Sequence, residues 1–169
     1  MHIPICIAAG GPKSARLAGR YGDGLITSAF ALRKDRNVKT AWEGGVRDAG
    51  LDPTIAPIIV EQWAAIGEKQ DEEVRAAANK WRFVPKAWNH GFFDNISPES
   101  IQTNAEKEIT LEKVLEDWTV SKDARAHSKA IQHLFDLGAT HVVVHVATPK
   151  QKEAIEFFGK NVLPGVWNN

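Results

Sequence analysis

The stretch from Ile3 to Ser28, IPICIAAGGPKSARLAGRYGDGLITS, constrains the fold more than any other part of the chain. Its pattern predicts a strand, a glycine turn, a short helix, a second glycine turn and a second strand. The apolar run from Ile3 to Ala9 lacks the polar alternation of a half-solvated strand, which indicates a parallel strand covered on both faces. Pro12 suits the first turn of the helix, because a missing N–H group costs nothing there.

Gly10 and Gly11, which end the first strand, predict an anion-binding turn. Backbone N–H groups at the carboxyl end of a parallel strand point outward beside the positive end of the following helix dipole. Because glycine has no Cβ atom, a phosphate or a flat ring could approach this backbone closely. The pair could equally do no more than turn the chain. The spacing is neither the G-x-G-x-x-G dinucleotide fingerprint nor a Walker lysine motif.

Strands and helices alternate along the rest of the sequence. Helical patterns cover Val38 to Ala49, Glu68 to Trp81, Thr110 to Trp118, Asp123 to Leu137 and Gln151 to Asn161, and strand patterns cover Ile55 to Ala65 and His141 to Val146. This alternation predicts right-handed βαβ units and a parallel sheet, an α/β fold. A chain of 169 residues can bury a sizeable core, and we expect one domain over residues 1–169.

The composition narrows the class of protein. The 21 basic and 21 acidic residues cancel, so neither a nucleic acid nor an anionic membrane is expected as a partner. No apolar run approaches the ~20 residues of a membrane span. The single cysteine, Cys6, excludes an internal disulfide and fits a reducing compartment. We therefore expect a cytoplasmic protein.

The sequence loses its regularity from about residue 82 to 107, where prolines, a glycine and several aromatic residues interrupt the pattern. A loop of this length inside a compact domain is usually functional or disordered, and its aromatic content argues against disorder. Packing of a wandering connection against the side of the fold is the alternative.

The six histidines show no metal-ligand spacing, so no metal site is predicted. His145 lies near the carboxyl end of the last predicted strand, where barrels place functional groups. It fits a core or pocket-wall position better than an acid–base role, since no partner carboxylate is recognisable in the sequence.

Three segments resemble the luciferase-like oxidoreductases, and more narrowly their deazaflavin branch, which includes the coenzyme F420-dependent glucose-6-phosphate dehydrogenases. The first is Ile3 to Ser28; the others are Leu111 to Asp123, LEKVLEDWTVSKD, and His141 to Val146, HVVVHV. The resemblance continues to Leu163-Pro164 and spans nearly the whole chain. It implies a parallel (β/α) half-barrel, strands five to eight of a luciferase-like TIM barrel.

The resemblance also implies a cofactor site. Gly10 and Gly11 match the glycine pair that contacts coenzyme F420 in the family, with Ala9 and Lys13 beside them. Ser28 matches a position that contacts the substrate in sugar-phosphate members. A deazaflavin carries the hydride chemistry itself, and the protein holds the ring and a small substrate together.

In the family, an insertion beside the active-site mouth corresponds to the irregular stretch. Trp88, Asn89, His90 and Phe92 are therefore candidate substrate-pocket or lid residues. The sugar-phosphate dehydrogenases carry a lysine and an arginine where this chain has Ala31 and Asp117. Because those cations are lost and a carboxylate is gained, a sugar phosphate would be repelled, and a less charged alcohol or another hydride partner is expected.

The resemblance begins at the fifth strand, whereas the family's catalytic histidine and glutamate lie on the first four. We therefore expect no catalytic residue in this chain and oxidoreductase activity only when the first half is present. Exposed strand edges recruit partners, so association with a copy of itself or with a chain carrying that half is expected. Two alternatives stay open: part of an FMN-dependent monooxygenase, or a catalytically silent half-barrel for binding or oligomerisation.

Overall fold

The computed structural model describes residues 3–86 and 97–167. Its strands are β1 (Cys6–Ala8), β2 (Gly24–Ser28), β3 (Ile58–Ala65), β4 (Thr119–Val120) and β5 (His141–Val146). Its α-helices are α1 (Pro12–Tyr21), α2 (Val38–Asp48), α3 (Glu72–Lys80), α4 (Pro98–Glu108), α5 (Leu111–Glu116), α6 (Ala124–Asp136), α7 (Gln151–Phe157) and α8 (Leu163–Trp167). A π-helical turn, Phe158–Val162, lies between α7 and α8.

The described strands are parallel, as the sequence predicts. They pair in the order β1–β2–β3–β4, and β5 pairs with β3. Hydrogen bonds from Thr140 N to Ile58 O (2.8 Å) and from Ala147 N to Ala64 O (3.0 Å) show that β5 runs in the same direction as β3. Helices separate the principal strands along the chain, so the predicted α/β fold with a parallel sheet is confirmed.

The first strand is shorter than the apolar pattern predicts. Ile5 N donates to the Asp23 carboxylate at 2.6 Å, and Asp23 N donates to Ile5 O at 2.8 Å. These bonds take the backbone of Ile5 out of the sheet ladder, which leaves Cys6–Ala8 as the strand. Helix α1 begins at Pro12, as predicted.

The structure differs from the irregular stretch expected between about residues 82 and 107, because helix α4 occupies its last part. Ser97 is the extended N-cap residue, Pro98 stands in the first turn, and Ala105 is buried. Proline breaks a helix in its interior but suits the first turn, so its role depends on where the helix begins. The short strand β4 has no counterpart in the sequence prediction.

The chain divides into two compact units, each with its own apolar core. Unit 1 comprises Met1–Gln62 and Lys129–Val144, and unit 2 comprises Trp63–Ser128 and His145–Asn169. The expectation of one domain over residues 1–169 stays a prediction.

The core of unit 1 joins the strands to helices α1 and α2. Leu25 of β2 and Val60 of β3 are fully buried, together with Ala18 of α1 and Trp42 of α2. Burying a Leu or Val side chain contributes about 1.5–3 kcal/mol each, so this layer supplies much of the stability of unit 1.

Helices α1 and α2 approach each other closely enough for their backbones to touch. A Cβ atom added at Gly19 would overlap the Trp42 carbonyl oxygen and lie 2.8 Å from Val46 N. One added at Gly45 would overlap the Arg16 carbonyl oxygen. Two glycines, one on each helix, therefore allow this contact, and any larger residue would force the helices apart.

Unit 2 has a second core and a buried histidine. His127 of α6 is 1% exposed, its ring contacts Phe157 and Phe158 edge-on, and its Nε2 lies 2.9 Å from the Ser121 carbonyl oxygen. Because a carbonyl only accepts, Nε2 is the protonated nitrogen. Burial, which penalises the charged ring, lowers the pKa of His127 below its ordinary value of 6.5, although the bond to Ser121 works in the opposite direction.

Replacing Gly19 by alanine should destabilise the protein by about 1–3 kcal/mol, because the methyl group has only backbone atoms to displace. Gly44→Ala is the matched control, since the nearest atom there is the tip of the Arg16 side chain at 3.4 Å. The control should be neutral or stabilising by up to about 1 kcal/mol. Chemical denaturation of both variants measures the difference; equal stability of the two would contradict the backbone contact.

The buried His127 should make stability depend on pH. The unfolded chain binds the proton near the ordinary pKa, whereas the folded chain binds it only at lower pH. Stability is therefore complete above about pH 6.5 and is lost as the pH falls toward the folded pKa. In the His127→Gln variant, the free energy of unfolding, measured by chemical denaturation, should change less with pH in this range. An unaltered slope of stability against pH in the His127 variant would contradict this assignment.

Candidate functional site

The bend that follows β1 in unit 1 is open. Ala9 is buried, but Gly10 and Lys13 are exposed and Gly11 is half-buried. A Cβ atom added at Gly11 would meet only the Ser14 hydroxyl, at 4.0 Å. Within the described ranges, this leaves free space beside the backbone where a bulky group could approach.

The backbone donors of the bend lack side-chain caps. Gly11 is the extended N-cap residue of α1 and makes no side-chain capping bond, and the Ser14 hydroxyl donates to Gly11 O at 3.0 Å. The N–H groups of the first helical turn have no acceptor within the helix, so those of Lys13 and Ser14 remain directed toward its amino end.

The charges around this end of α1 favour an anion. The first turn contains no acidic residue, and Lys13 makes no ion pair with any described residue. The helix dipole adds partial positive charge at the same point. A phosphate or carboxylate would therefore be stabilised at this bend by backbone donors, the dipole and one ammonium group.

The carboxyl end of β2 carries Ser28. Its hydroxyl oxygen accepts from Ala31 N at 3.2 Å, and Ala31 is only 3% exposed. The position where the resemblance places a lysine thus belongs to the core of unit 1. Farther along, the guanidinium groups of Arg33 and Arg36 lie over the Phe30 ring, 4.9 and 3.9 Å from its centroid.

Unit 2 contains an aromatic cluster, formed by Trp63, Trp81, Phe83, Trp118 and His145. The Trp63 indole stacks on His145 (centroids 3.9 Å apart, planes 16° apart) and on Trp118 (5.5 Å, 17°). Trp81 meets the His145 ring edge-on at 5.2 Å. These contacts fix the orientation of the His145 imidazole, which belongs to a pocket wall.

A cavity of about 270 Å³ lies beside this cluster in unit 2, lined by Trp81, His145 and residues of α3 and the segment after β5. Its acid, Glu73, is paired with Lys150 at 2.9 Å. The Glu73 carboxylate raises the pKa of Lys150 by accepting its hydrogen bond. The remaining wall is mostly apolar but also contains Lys80, Thr148 and Gln151, so the cavity offers apolar contact together with one further ammonium group.

The structure brings together four of the predicted site residues, Ala9, Gly10, Gly11 and Lys13, in one bend, and places Ser28 at the end of the neighbouring strand. Trp88 and His90, together with Asn89 and Phe92, lie outside the described residues, so their substrate role stays a prediction. Three or more metal-ligating side chains do not meet anywhere in residues 3–86 and 97–167. In the same ranges, every helix is too short or too polar to cross a membrane.

The sequence prediction missed the aromatic cluster as a unit and the hydrogen bond that the buried Thr27 hydroxyl donates to Ala9 O at 2.8 Å, beside the bend. The tryptophans were visible individually, but their stacking depends on pairing between β3, β4 and β5. The signal for Thr27 is a hydroxyl residue at an inward position of an otherwise apolar strand.

Comparison with known proteins gives consistent results. An F420-dependent hydroxymycolic acid dehydrogenase of Mycobacterium tuberculosis is 39% identical over 164 residues, 97% of this chain and 43% of the relative. An F420-dependent glucose-6-phosphate dehydrogenase of Intrasporangium calvum is 31% identical over 172 residues, 97% of this chain and 49% of the relative. The chain thus spans about half the length of these relatives.

Solved structures show the same fold. An F420-dependent secondary alcohol dehydrogenase, solved with an F420-acetone adduct, matches 98% of this chain and 49% of its own, with a TM-score of 0.81 and 24% identity. The F420-dependent tetrahydromethanopterin reductase of Methanopyrus kandleri aligns with 96% of this chain over 50% of its own length, with a TM-score of 0.69 and 18% identity.

These matches confirm the predicted half of a luciferase-like barrel and the resemblance to F420-dependent dehydrogenases. The sequence profile of the luciferase-like monooxygenases matches residues 1–151, most of the chain. The chain therefore belongs to the luciferase-like monooxygenase family.

Proposed function

We propose that this chain supplies the phosphate-binding side of the cofactor site in an F420-dependent oxidoreductase. The open bend after β1, with its uncapped N–H donors, carries the proposal. Ala9, Gly10, Gly11 and Lys13 would hold the cofactor phosphate. The names of the relatives, which are F420-dependent dehydrogenases, support deazaflavin over FMN.

A bound deazaflavin exchanges a hydride with a carbon of a small organic substrate. The described residues of this chain bind and orient; they contribute no recognisable base at the bend. Oxidation of an alcohol also requires that the hydroxyl proton be taken up, and the resemblance assigns that role to the first four strands. In this proposal, this chain supplies part of the cofactor site, and the proton acceptor lies outside its described residues.

The substrate in this proposal is a neutral alcohol or ketone. The position of the sugar-phosphate lysine is occupied by the buried Ala31, and the arginine position is occupied by Asp117. Ser28, Trp88 and His90 would contact this substrate.

Gly11→Val should weaken binding of coenzyme F420 by at least about tenfold, because the branched side chain fills the approach to the backbone donors. The fold should survive, since Gly11 has φ −136° and ψ 160°, a conformation that valine adopts readily. Titration of purified protein with the cofactor, followed by cofactor fluorescence, measures the affinity.

Gly159→Val is the matched control, because a Cβ atom there has open space, with no atom within 4 Å. It should bind the cofactor like the unaltered chain. Equal affinity of the Gly11 variant, or preferential binding of FMN with its yellow absorbance band, would contradict the proposal. A chain that binds neither cofactor, with or without the first half, would support the silent half-barrel instead.

The second element of the proposal is a partner that covers one sheet face of unit 1. Leu25 and Val142 pack on the core side, so the alternating residues Ile26 and Val143 lie on the opposite face. They are 38% and 53% exposed. Apolar sheet surface of this kind favours association, with a copy of the chain or with a chain that carries the first half of the barrel.

Val143→Asp should reduce that association, because a carboxylate would have to be desolvated in the interface. Sedimentation velocity at micromolar concentration, alone and with the first half, measures it. Leu51→Asp, at an exposed apolar position that follows α2, is the control and should associate normally. A well-folded unaltered chain that remains monomeric in both conditions would exclude the partner.

A further inference from the structure

Thr27 is a polar residue in an apolar stripe of unit 1. It lies on β2 two residues after Leu25, on the face that packs against the core, and is 6% exposed. Valine has nearly the same shape and would pack at this position without a polar atom to bury. Burying a hydroxyl costs free energy unless it makes a hydrogen bond, so the bond that Thr27 makes is the reason to examine it.

The Thr27 hydroxyl donates to the carbonyl oxygen of Ala9 at 2.8 Å. Ala9 N donates in turn to Ile26 O at 2.9 Å. Both backbone polar groups of Ala9, the residue that follows β1, are therefore held by β2, directly before the exposed Gly10. The second of these bonds is ordinary strand pairing, whereas the first depends on one side chain.

The Ala9 carbonyl and the Gly10 N–H belong to the same peptide unit. The described residues contain no cis peptide bond, so this unit is trans and its C=O and N–H point in opposite directions. The Ala9 oxygen points toward the buried Thr27 hydroxyl. The Gly10 N–H consequently points away from the core, toward the exposed side of the bend.

We propose that Thr27 is a positioning residue, which aims the Gly10 N–H at an anionic group of the ligand by holding the Ala9 carbonyl. This inference rests on the proposed cofactor site and adds a residue that does not itself touch the ligand. Without the hydroxyl, the Ala9–Gly10 peptide plane is free to rotate, and the donor loses its direction although the core stays packed.

Thr27→Val tests the inference, with Thr27→Ser as the conservative rescue. The valine variant should bind coenzyme F420 about threefold to tenfold more weakly, as expected for one misdirected hydrogen bond. The serine variant should bind within about twofold of the unaltered chain, since its hydroxyl is retained. The residual dipolar coupling of the Gly10 N–H, measured without ligand, should change in the valine variant and be preserved in the serine variant.

Thr140→Val is the matched control, because the Thr140 hydroxyl also donates to a strand carbonyl of unit 1, Ile58 O, at 3.1 Å. It should lower stability without changing the Gly10 coupling or the affinity for the cofactor. An unchanged coupling in Thr27→Val, an unchanged affinity, or equal effects of Thr140→Val would overturn the inference. If the unaltered chain binds no F420, the proposed function fails, and the dipolar coupling still decides whether Thr27 orients the bend.

Discussion

The backbone contact between α1 and α2 at Gly19 and Gly45 holds the helix on which the candidate site depends. A helix dipole acts only within about its first turn, so the direction of α1 decides where its donors can bind an anion. Packing fixes the body of this helix, and Thr27 fixes the peptide that leads into it. The candidate site therefore depends on three residues outside the bend: Gly19 and Gly45, which lack a side chain, and Thr27, which supplies a hydroxyl.

Unit 2 contains an aromatic cluster and a cavity, in contrast to the proposed anion-binding bend of unit 1. Trp63 lies stacked between Trp118 and His145, which makes a rigid aromatic wall beside a mainly apolar cavity. Glu73 is already compensated by Lys150, so this cavity presents little negative charge. Because Lys80 also lies in the wall, the cavity disfavours a cation and offers apolar contact to the body of a ligand.

Local rules explain what the sequence could predict. Pro12 begins α1, Gly138 with φ 102° follows α6, and the run from His141 to Val146 forms β5. The glycine bend was also predictable, because its openness follows from strand, turn and helix in immediate succession. Pro98 was ambiguous, since the same residue can end one helix or begin another.

Contacts between distant residues could not be predicted in this way. Ile5 lies outside β1 because the Asp23 carboxylate accepts a hydrogen bond from its N–H group. The apolar pattern of the sequence does not reveal that Asp23 competes with strand pairing. The stack around Trp63 needs the register of β3 against β4 and the pairing with β5. The contribution of Thr27 becomes apparent only from the hydrogen bond between its hydroxyl and Ala9 O. The position of the glycine bend was thus predictable from the sequence, whereas the contacts that hold it were not.

Mapping of backbone amide chemical shifts on addition of coenzyme F420 tests the central claim most directly. We expect the largest shifts at Gly10, Gly11 and Lys13, since these donors would bind the cofactor phosphate, and smaller shifts elsewhere in unit 1. Saturating shifts confined to other residues, with the Gly10 and Gly11 amides unmoved, would show that the bend is only a turn and would contradict the account.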